Sequence, residues 1–230
     1  DRLRNRVVWL ALGELGLAYR DSRLKQSLTD TEVGGGRLWG PTGRWVVLDA
    51  TFAVRQGSLS SRIAYSQLAG ALGVELGERV PERELREAVL ELRRSKGMVL
   101  DGADHDTWSA GSFFTNPILT TEQAEQLPED APRFPVTDHS QVVLGTKAAP
   151  VIEGLVKTSA AWLIDHAGFS KGFAVEAGAP AGLSTKHVLA LTNRGGATGA
   201  DLACLRDAVV SGVRERYGVT LVPEPVQVGF

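Results

Sequence analysis

The spacing of apolar residues along the chain predicts helices, most clearly near the C-terminus. There, apolar side chains recur every three or four residues, at Leu202, Leu205, Val209 and Val213. The pattern Thr198-x-x-Asp201 caps this segment at its start, and Gly218 ends it. Similar reasoning predicts three further helices, over residues 60–72, 81–96 and 151–166.

Clusters of β-branched and aromatic residues between turn signals predict strands over residues 6–10, 45–54 and 219–222. Residues 26–43 are rich in Gly and Thr and predict a long surface loop, while the three prolines in residues 127–135 predict an exposed connection. Strand-rich sequence gives way to helix-rich sequence near Gly57. The chain is therefore expected to be α+β, with a small domain over residues 1–57 and a larger one over residues 58–230.

Charge and composition exclude several classes of protein. The 25 basic and 27 acidic residues give a net charge of −2, which offers no general attraction to nucleic acid or to an anionic membrane. No apolar run approaches the roughly 20 residues of a membrane span, and the short apolar stretch after residue 6 lacks a signal-peptide cleavage site. The single cysteine, Cys204, lies in a helical pattern, and we expect it to be buried in a protein of a reducing compartment.

Metal binding is not indicated by the histidines either. His105, His139, His166 and His187 form no spacing typical of zinc sites, and each is more often structural than catalytic. His187 opens the strand-like stretch HVLALTN. The glycine-rich stretches GGGRLWG and NRGGATGAD match neither the dinucleotide fingerprint nor the P-loop, and the second is typical of a helix entrance.

A lysine continues the apolar stripe of the second predicted helix. Leu85, Val89 and Leu92 step by four and three, so Lys96 falls on the same face. A lysine there must extend to solvent or meet a negative group, unless the helix ends earlier and Lys96 is solvated. Glu224 lies between Pro223 and Pro225, which stiffen the backbone that carries its carboxylate.

The stretch SAGSFFTNPIL places Ser112 between Gly111 and two phenylalanines. No GxSxG elbow surrounds it, so a hydrolase nucleophile is weakly supported. A serine after a flexible glycine could instead donate a proton if its surroundings made it acidic. We interpret Phe113 and Phe114 as packing anchors that fix the turn.

Five stretches together resemble the family of UDP-N-acetylenolpyruvoylglucosamine reductases (MurB, UDP-N-acetylmuramate dehydrogenases), most closely its actinobacterial members. They occur in family order and are LGLAYRDSRLK, RSKGMVLDGADHDTWSAGSFFTNPIL, KTSAAWLIDHAGFSKG, HVLALTNRGGATGADL and RYGVTLVPEPVQVG. The resemblance implies the C-terminal two-thirds of such an enzyme. Residues 1–57 would be the end of an FAD-binding domain of the PCMH/VAO type, and residues 58–230 the substrate-binding domain.

The resemblance also implies a cytoplasmic, monomeric flavoenzyme of peptidoglycan synthesis that uses NADPH and FAD to reduce a UDP-sugar enol ether. Its motifs imply the following roles: Ser112 and Glu224 catalytic; Lys96, Asn116 and His187 substrate-binding; Tyr19, Arg20 and Ser22 cofactor-binding. No metal is implied. In the loop after Lys25, where some relatives carry a tyrosine that closes over the substrate, this chain has Trp39.

The family's glycine-rich pyrophosphate loop and an active-site arginine of its flavin-binding region find no match in these residues. We therefore expect these 230 residues alone to bind FAD poorly and to turn over slowly or not at all. One alternative is a non-catalytic fragment that binds the UDP-sugar without flavin. Another is a different oxidoreductase of the same flavin superfamily, against which the GSFF and PEP motifs argue; a nucleic-acid binder is disfavoured by the charge.

Overall fold

The computed structural model describes residues 1–138 and 149–229 of the chain. They divide into two compact units, each built from separate stretches of sequence. Unit 1 comprises Asp1–Ala50, Ser112–Gly168 and Val209–Phe230, and unit 2 comprises Thr51–Gly111 and Phe169–Ala208. The mixture of helices and strands confirms the predicted α+β class. The domain boundary near Gly57, which concerns a flavin-binding and a substrate-binding region, stays a prediction.

Six helices and five short strands lie in the described parts of the chain. The helices are α1 (Arg23–Gln26), α2 (Ser66–Leu72), α3 (Glu82–Ser95), α4 (Thr121–Glu125), α5 (Ala160–His166) and α6 (Gly199–Tyr217). The strands are β1 (Ile118–Thr120), β2 (Arg133–Thr137), β3 (Val151–Thr158), β4 (Ala181–Leu183) and β5 (Leu191–Asn193). Short 3-10 turns lie at Leu12–Glu14 and His105–Thr107. None of the helices in the described ranges is long and apolar enough to cross a bilayer.

Unit 1 contains an antiparallel sheet in the order β1-β3-β2. Leu119 of β1 is buried and pairs with Val156 of the central strand. After β3, the Ser159 hydroxyl accepts the Trp162 amide hydrogen and caps α5, whose Leu163 and Ile164 are fully buried. The sheet therefore passes directly into a helix that lies in the core.

Unit 2 contains a helix pair and a hairpin. Ile63, Ala69 and Val80 form the buried centre of the helix pair, and Leu72 and Leu85 pack against it. The hairpin pairs β4 with β5 and is buried along its length at Ala181, Leu183 and Leu191. The backbone beside the His105–Thr107 turn extends this hairpin, since Ser109 bridges to Thr192 and the Asn193 amide donates to the Trp108 carbonyl at 3.0 Å.

The three predicted strands are wrong. Residues 6–10 and 45–54 have irregular backbone, and Val47, Phe52 and Val54 are exposed there. A β-favouring sequence forms a strand only where a neighbour pairs with it, and the described residues supply none to these two segments. Residues 219–222 also form no strand; the backbone nearby pairs at the isolated bridge between Phe114 and Pro223.

The predicted helix over residues 151–166 is wrong in its first half, which is β3. Val151, Ile152 and Val156 favour a pleated strand, and Gly154 adopts a positive φ of 77° that interrupts a helix. The helix predicted from residue 60 begins only at Ser66. The preceding residues pair with residues 77–82 instead, as in the bond from the Ser60 amide to the Val80 carbonyl at 2.8 Å.

The prediction for α6 is confirmed. Leu205, Val209 and Val213 are fully buried, and Thr198 and Asp201 exchange the predicted capping hydrogen bonds. Cys204, however, is exposed, because it lies on the opposite side of this helix from the buried stripe. The buried-cysteine prediction is therefore wrong.

Residues 127–135 are not a simple exposed connection. Leu127 and Ala131 are buried, and the segment leads into β2. The surface loop was predicted over residues 26–43; Gln26 belongs to α1, and residues 27–43 form no strand or helix but fold around Trp39, which is only 5% exposed. The Trp39 indole donates to the Gly34 carbonyl at 2.8 Å, and the Arg37 guanidinium lies 3.4 Å from its ring centroid.

Candidate functional site

A short backbone pairing in unit 1 brings the two predicted catalytic residues close in the fold. The Glu224 amide donates to the Phe113 carbonyl at 2.8 Å, and the Thr115 amide donates to the Val222 carbonyl at 3.0 Å. Phe114 bridges to Pro223 between these two bonds. Glu224 is thus held opposite the residue that follows Ser112.

The two phenylalanines beside this backbone pairing differ in their burial. Phe114 is 2% exposed and fixes the segment in the core, while the Phe113 ring meets it edge-on at 5.3 Å between centroids. Gly111 precedes them with φ +82°, a conformation that side chains disfavour. The anchor interpretation is confirmed for Phe114, whereas Phe113 is only partly buried.

An ion pair joins Arg20 to Glu224. The Arg20 guanidinium lies 2.8 Å from the Glu224 carboxylate, with the arginine side chain 50% and the glutamate side chain 32% exposed. Arg20 has a positive φ of 53°, and the Lys25 ammonium donates to its carbonyl at 2.9 Å. Sequence reasoning missed this pair, because no local pattern can connect residues 204 positions apart.

Asn116 is held between two polar contacts. Its amide hydrogen is donated to the Tyr19 hydroxyl at 3.3 Å, and its side-chain oxygen accepts the Ala160 amide hydrogen at 3.0 Å. The Lys157 ammonium lies 4.8 Å from the centroid of the Tyr19 ring. Since the oxygen is occupied, the side-chain nitrogen of Asn116 is the end that can donate to a ligand.

Tyr19, Arg20 and Asn116 line one open cleft of about 580 Å³ in unit 1, together with Lys25, Gln123 and Tyr217. Its walls carry two cations, three amide side chains and two aromatic rings. Ser22 does not line the cleft; its hydroxyl accepts the Lys25 amide hydrogen at 3.2 Å and caps α1. Arg20 and Tyr19 therefore fit the phosphate and ring chemistry of a dinucleotide such as FAD, while Ser22 supports the turn that carries Lys25.

Lys96 lies in unit 2, directly after α3. The helix ends at Ser95, one residue before the lysine, which is half-buried. The Lys96 ammonium donates to the Gln67 side-chain oxygen at 2.7 Å. Of the two outcomes expected for a lysine on the apolar face, a negative partner is not found among the described residues, because a neutral amide meets this cation. The helix ends one residue before the lysine, as in the alternative, but Lys96 is half-buried and not fully solvated.

A buried aspartate fixes the turn that carries His187. Asp106 is 6% exposed and accepts the Thr185 amide hydrogen at 2.9 Å, and it also accepts from the Thr185 hydroxyl. Arg194 lies 3.5 Å from the same carboxylate. Burial alone would raise the pKa of Asp106, but the Thr185 hydrogen bonds and the Arg194 charge outweigh it, so this pKa lies below its ordinary value.

Gly97, the residue after Lys96, lies against the backbone of the same aspartate. Gly97 has φ +68°, and a Cβ built on it would lie 2.9 Å from the Asp106 carbonyl oxygen. Only glycine permits this approach without a shift of the backbone. Asp106 thus contacts both the segment that follows Lys96 and the turn at Thr185.

His187 lies on this turn and not at the start of a strand, since β5 begins only at Leu191. The Lys186 and His187 amides both donate to the buried Ser184 hydroxyl, at 3.0 and 3.2 Å. Burial lowers the pKa of His187, and the positive charges of Lys96 and Lys171 lower it further. The imidazole is therefore neutral near pH 7.

The family model for the C-terminal domain of UDP-N-acetylenolpyruvoylglucosamine reductase matches residues 103–228, more than half of the chain. The chain belongs to this family. The resemblance seen in the sequence is thereby confirmed. Ser112, Asn116, His187 and Glu224 lie within the matched range, and the other predicted site residues precede it.

Full-length relatives confirm the match across all 230 residues. The chain is 54% identical over 229 residues to the UDP-N-acetylenolpyruvoylglucosamine reductase of Cutibacterium acnes, and it covers 52% of that protein. It is 48% identical to the Thermobifida fusca enzyme of the same name and 43% identical to that of Mycobacterium tuberculosis, covering 58% and 57% of them. The chain thus spans little more than half the length of the curated relatives that it matches.

The family match leaves the role of each residue a prediction. Ser112, Glu224, Asn116, Tyr19, Arg20 and Ser22 belong to unit 1, and Lys96 and His187 belong to unit 2. His139 lies outside the described residues. Among residues 1–138 and 149–229, no group of three or more acidic, histidine or cysteine side chains could hold a metal ion.

Proposed function

We propose that this chain forms the substrate-binding part of a reductase that converts UDP-N-acetylenolpyruvoylglucosamine to UDP-N-acetylmuramate in peptidoglycan synthesis. The reaction uses NADPH and FAD and takes place in the cytoplasm, where the soluble cofactors and the nucleotide-activated sugar are found. The observation that carries the proposal is the backbone pairing that holds Glu224 opposite Phe113, directly after Ser112. Membership of the reductase family supports it.

FAD, when bound, supplies the hydride equivalent that it receives from NADPH. Arg20 and Lys25 are the cations of the unit 1 cleft that suit its phosphates, and Tyr19 offers an aromatic ring. In the family the greater part of the flavin-binding region precedes the part that this chain resembles. Residues 1–57 form the remainder of that domain, and residues 58–230 form the substrate domain.

Ser112 supplies the proton of the reaction. Reduction of the enol ether adds hydride to the terminal carbon and a proton to the neighbouring carbon, which bears the carboxylate. A serine hydroxyl is a weak acid near pH 7, so its proton must leave in concert with collapse of the enol. Glu224 lies beside this segment and Arg20 holds its carboxylate, so the two can position the reacting groups and balance the charge.

Lys96, Asn116 and His187 bind the substrate. The enolpyruvyl carboxylate and the diphosphate are anions, and a lysine provides the counter-charge that they require. The Asn116 nitrogen donates a neutral hydrogen bond, since its oxygen is occupied by the Ala160 amide. These roles follow the motif positions of the family.

Replacement of Ser112 by alanine in the full-length enzyme tests the proton-donor role. We expect reduction of the flavin by NADPH to proceed at the wild-type rate and its reoxidation by the UDP-sugar to slow by about 100-fold or more, the typical contribution of a general acid. Stopped-flow absorbance of the flavin measures both steps. Equal loss of the two half-reactions would contradict the role of Ser112.

A fragment that binds the UDP-sugar without catalysis is the second candidate. It concerns these 230 residues by themselves, which cover 52 to 58% of the relatives named above. Purification of the 230 residues, followed by titration with FAD and with UDP-sugar, separates the two. Weak FAD binding with measurable UDP-sugar binding is expected for the isolated residues. A yellow protein with normal NADPH oxidation would overturn that expectation.

A further inference from the structure

Arg20 has a backbone conformation that its residue type disfavours. Its φ is +53°, and among the described residues only one other non-glycine residue, Asn5, has a positive φ. Asparagine adopts this conformation more readily because its short side chain can bond to the nearby backbone, whereas arginine offers no such compensation. Contacts around Arg20 therefore have to hold its backbone in place.

The residues on either side of Arg20 are fixed by polar contacts. The Tyr19 hydroxyl accepts the Asn116 amide hydrogen at 3.3 Å. Ala18 and Asp21 form a bridge in which each amide donates to the carbonyl of the other, at 3.0 and 3.3 Å. These contacts fix where the chain enters and leaves Arg20, but none of them involves the Arg20 backbone itself.

Lys25 supplies the one hydrogen bond to the Arg20 backbone that the described residues form. Its ammonium group donates to the Arg20 carbonyl at 2.9 Å. A charged donor makes a stronger hydrogen bond than a neutral one. Within residues 1–138 and 149–229, no acidic side chain pairs with Lys25 and competes for its ammonium group. Lys25 therefore acts directly on the peptide unit that gives Arg20 its unusual conformation.

Helix α1 brings Lys25 to this position. The Ser22 hydroxyl accepts the Lys25 amide hydrogen at 3.2 Å and caps the helix. The Asp21 carboxylate accepts a hydrogen from the Gln26 side chain at 2.7 Å and ties the helix to the turn. An exposed lysine ordinarily extends into water, but this one returns to a carbonyl five residues before it.

The conformation of Arg20 decides where its guanidinium lies. The guanidinium is 2.8 Å from the Glu224 carboxylate. Because φ is the rotation about the bond between the amide nitrogen and Cα, a change from +53° to a negative value would turn the side chain in another direction while Tyr19 stays in place. The contact between Arg20 and Glu224 therefore depends on the positive φ.

We propose that Lys25 is a positioning residue for the reductase reaction. Its ammonium group holds the Arg20 carbonyl, which keeps Arg20 at its positive φ and its guanidinium on Glu224. The inference rests on the proposed function for the part that Glu224 takes in the reaction. It goes beyond the charge that Lys25 brings to the unit 1 cleft, because that charge would act in the same way whatever residue stood at position 20.

The effect on the backbone is tested by NMR in the 230-residue chain, without flavin. The coupling between the amide and α hydrogens of Arg20 and its ¹³C shifts report its φ. We expect Lys25→Met to move these values away from those of a positive φ. Lys25→Arg should retain them, because a guanidinium also donates to a carbonyl. Unchanged values in Lys25→Met would overturn the proposal.

Arg23→Met is the matched control, since it removes a cation from the same helix. The Arg23 guanidinium lies 5.6 Å from the centroid of the Trp45 ring and does not bond to Arg20. The NMR values of Arg20 should therefore be those of the wild type. A change as large as that in Lys25→Met would mean that any substitution in α1 disturbs the turn, and this would also overturn the specific role of Lys25.

A double-mutant cycle in the full-length enzyme tests the effect on catalysis. Flavin reoxidation by the UDP-sugar is measured at saturating FAD, so that weaker cofactor binding does not enter the rate. We expect Lys25→Met to slow reoxidation by about tenfold alone and by no further factor when added to Arg20→Gln, because the lysine acts through the arginine. Lys25→Arg should restore most of the rate. An equal loss in both backgrounds would contradict the positioning role.

The two experiments separate the inference from the proposed function. If Lys25→Met alters the Arg20 backbone but the full-length enzyme does not reduce the UDP-sugar, the contact stands and the proposed function is wrong. If the enzyme is active and Lys25→Met changes neither the Arg20 backbone nor the reoxidation rate, the proposed function stands and the positioning role is wrong.

Discussion

At the scale of single residues, the Arg20–Glu224 pair allows the effect of a contact on stability to be separated from its proposed effect on chemistry. Both side chains are substantially exposed, so water screens their attraction and the pair adds little to folding. It nevertheless holds the carboxylate for which we propose a catalytic role. The distinction between these two effects can be measured.

We expect Arg20→Gln to change the free energy of unfolding of the chain by less than about 1 kcal/mol. In the full-length enzyme the same substitution should slow flavin reoxidation by the UDP-sugar, because Glu224 loses its positioning partner. Arg86→Gln, which breaks an exposed pair with Glu87, is the control and should change neither quantity. Unaltered reoxidation in Arg20→Gln would show that the ion pair has no functional role.

Gly97 and Gly73 allow a second comparison at this scale. Both have nearly the same positive φ, 68° and 67°, but only Gly97 faces a close neighbour. Gly73→Ala should cost about 1 kcal/mol for the backbone conformation alone. Gly97→Ala should cost about 1–3 kcal/mol more, because its Cβ would displace the Asp106 backbone. Urea denaturation of both variants measures the difference, and equal losses would contradict the close contact.

At the scale of elements, the sequence predicts structure well where the determining contacts are local. The cap of α6 lies within three residues, and its buried stripe repeats every turn, so both could be predicted. The Phe114 anchor and the start of α3 were predicted for similar reasons. Pairing of strands is not local. The sequence therefore predicts a strand over residues 45–54, with which no described segment pairs, and a helix where β3 forms.

The two sides of α6 should respond differently to substitution. Leu205 is fully buried, and Leu205→Ala is expected to lower the free energy of unfolding by about 2–5 kcal/mol through loss of packing. The adjacent Cys204 is exposed, so Cys204→Ala should change it by less than about 0.5 kcal/mol. Thermal and urea unfolding of the two variants provide the measurement. A large loss in Cys204→Ala would mean that the helix faces the core differently.

At the scale of the whole molecule, each unit gathers residues from distant parts of the chain. The sequence alone singled out Lys96, Ser112 and Glu224 as chemically unusual, but only the resemblance to a family gave them roles. The Arg20 contact with Glu224 and the contact of Gly97 with the Asp106 carbonyl could not be predicted. Both join segments that are not adjacent in the chain and have no sequence signal in common.

The pH dependence of stability should report on His187. Its pKa in the folded chain is below the ordinary value of 6.5, so the unfolded chain binds more protons as the pH falls through that value. The free energy of unfolding should therefore decrease as the pH is lowered from about 7.5 to 5.5. His187→Gln should remove this contribution. Urea denaturation across the range tests it, and an identical pH dependence in the variant would contradict the lowered pKa.

The hydrogen bond from Glu224 to Phe113 has a consequence for synthesis of the protein. During translation Ser112 leaves the ribosome long before residue 224, and the pairing that brings the glutamate to it cannot form in the interval. An unfinished polypeptide therefore lacks the assembled site, even when most of its helices have folded. A polypeptide truncated between α6 and residue 224 would therefore keep the buried face of α6 but lose the pairing on which the proposed roles of Ser112 and Glu224 depend.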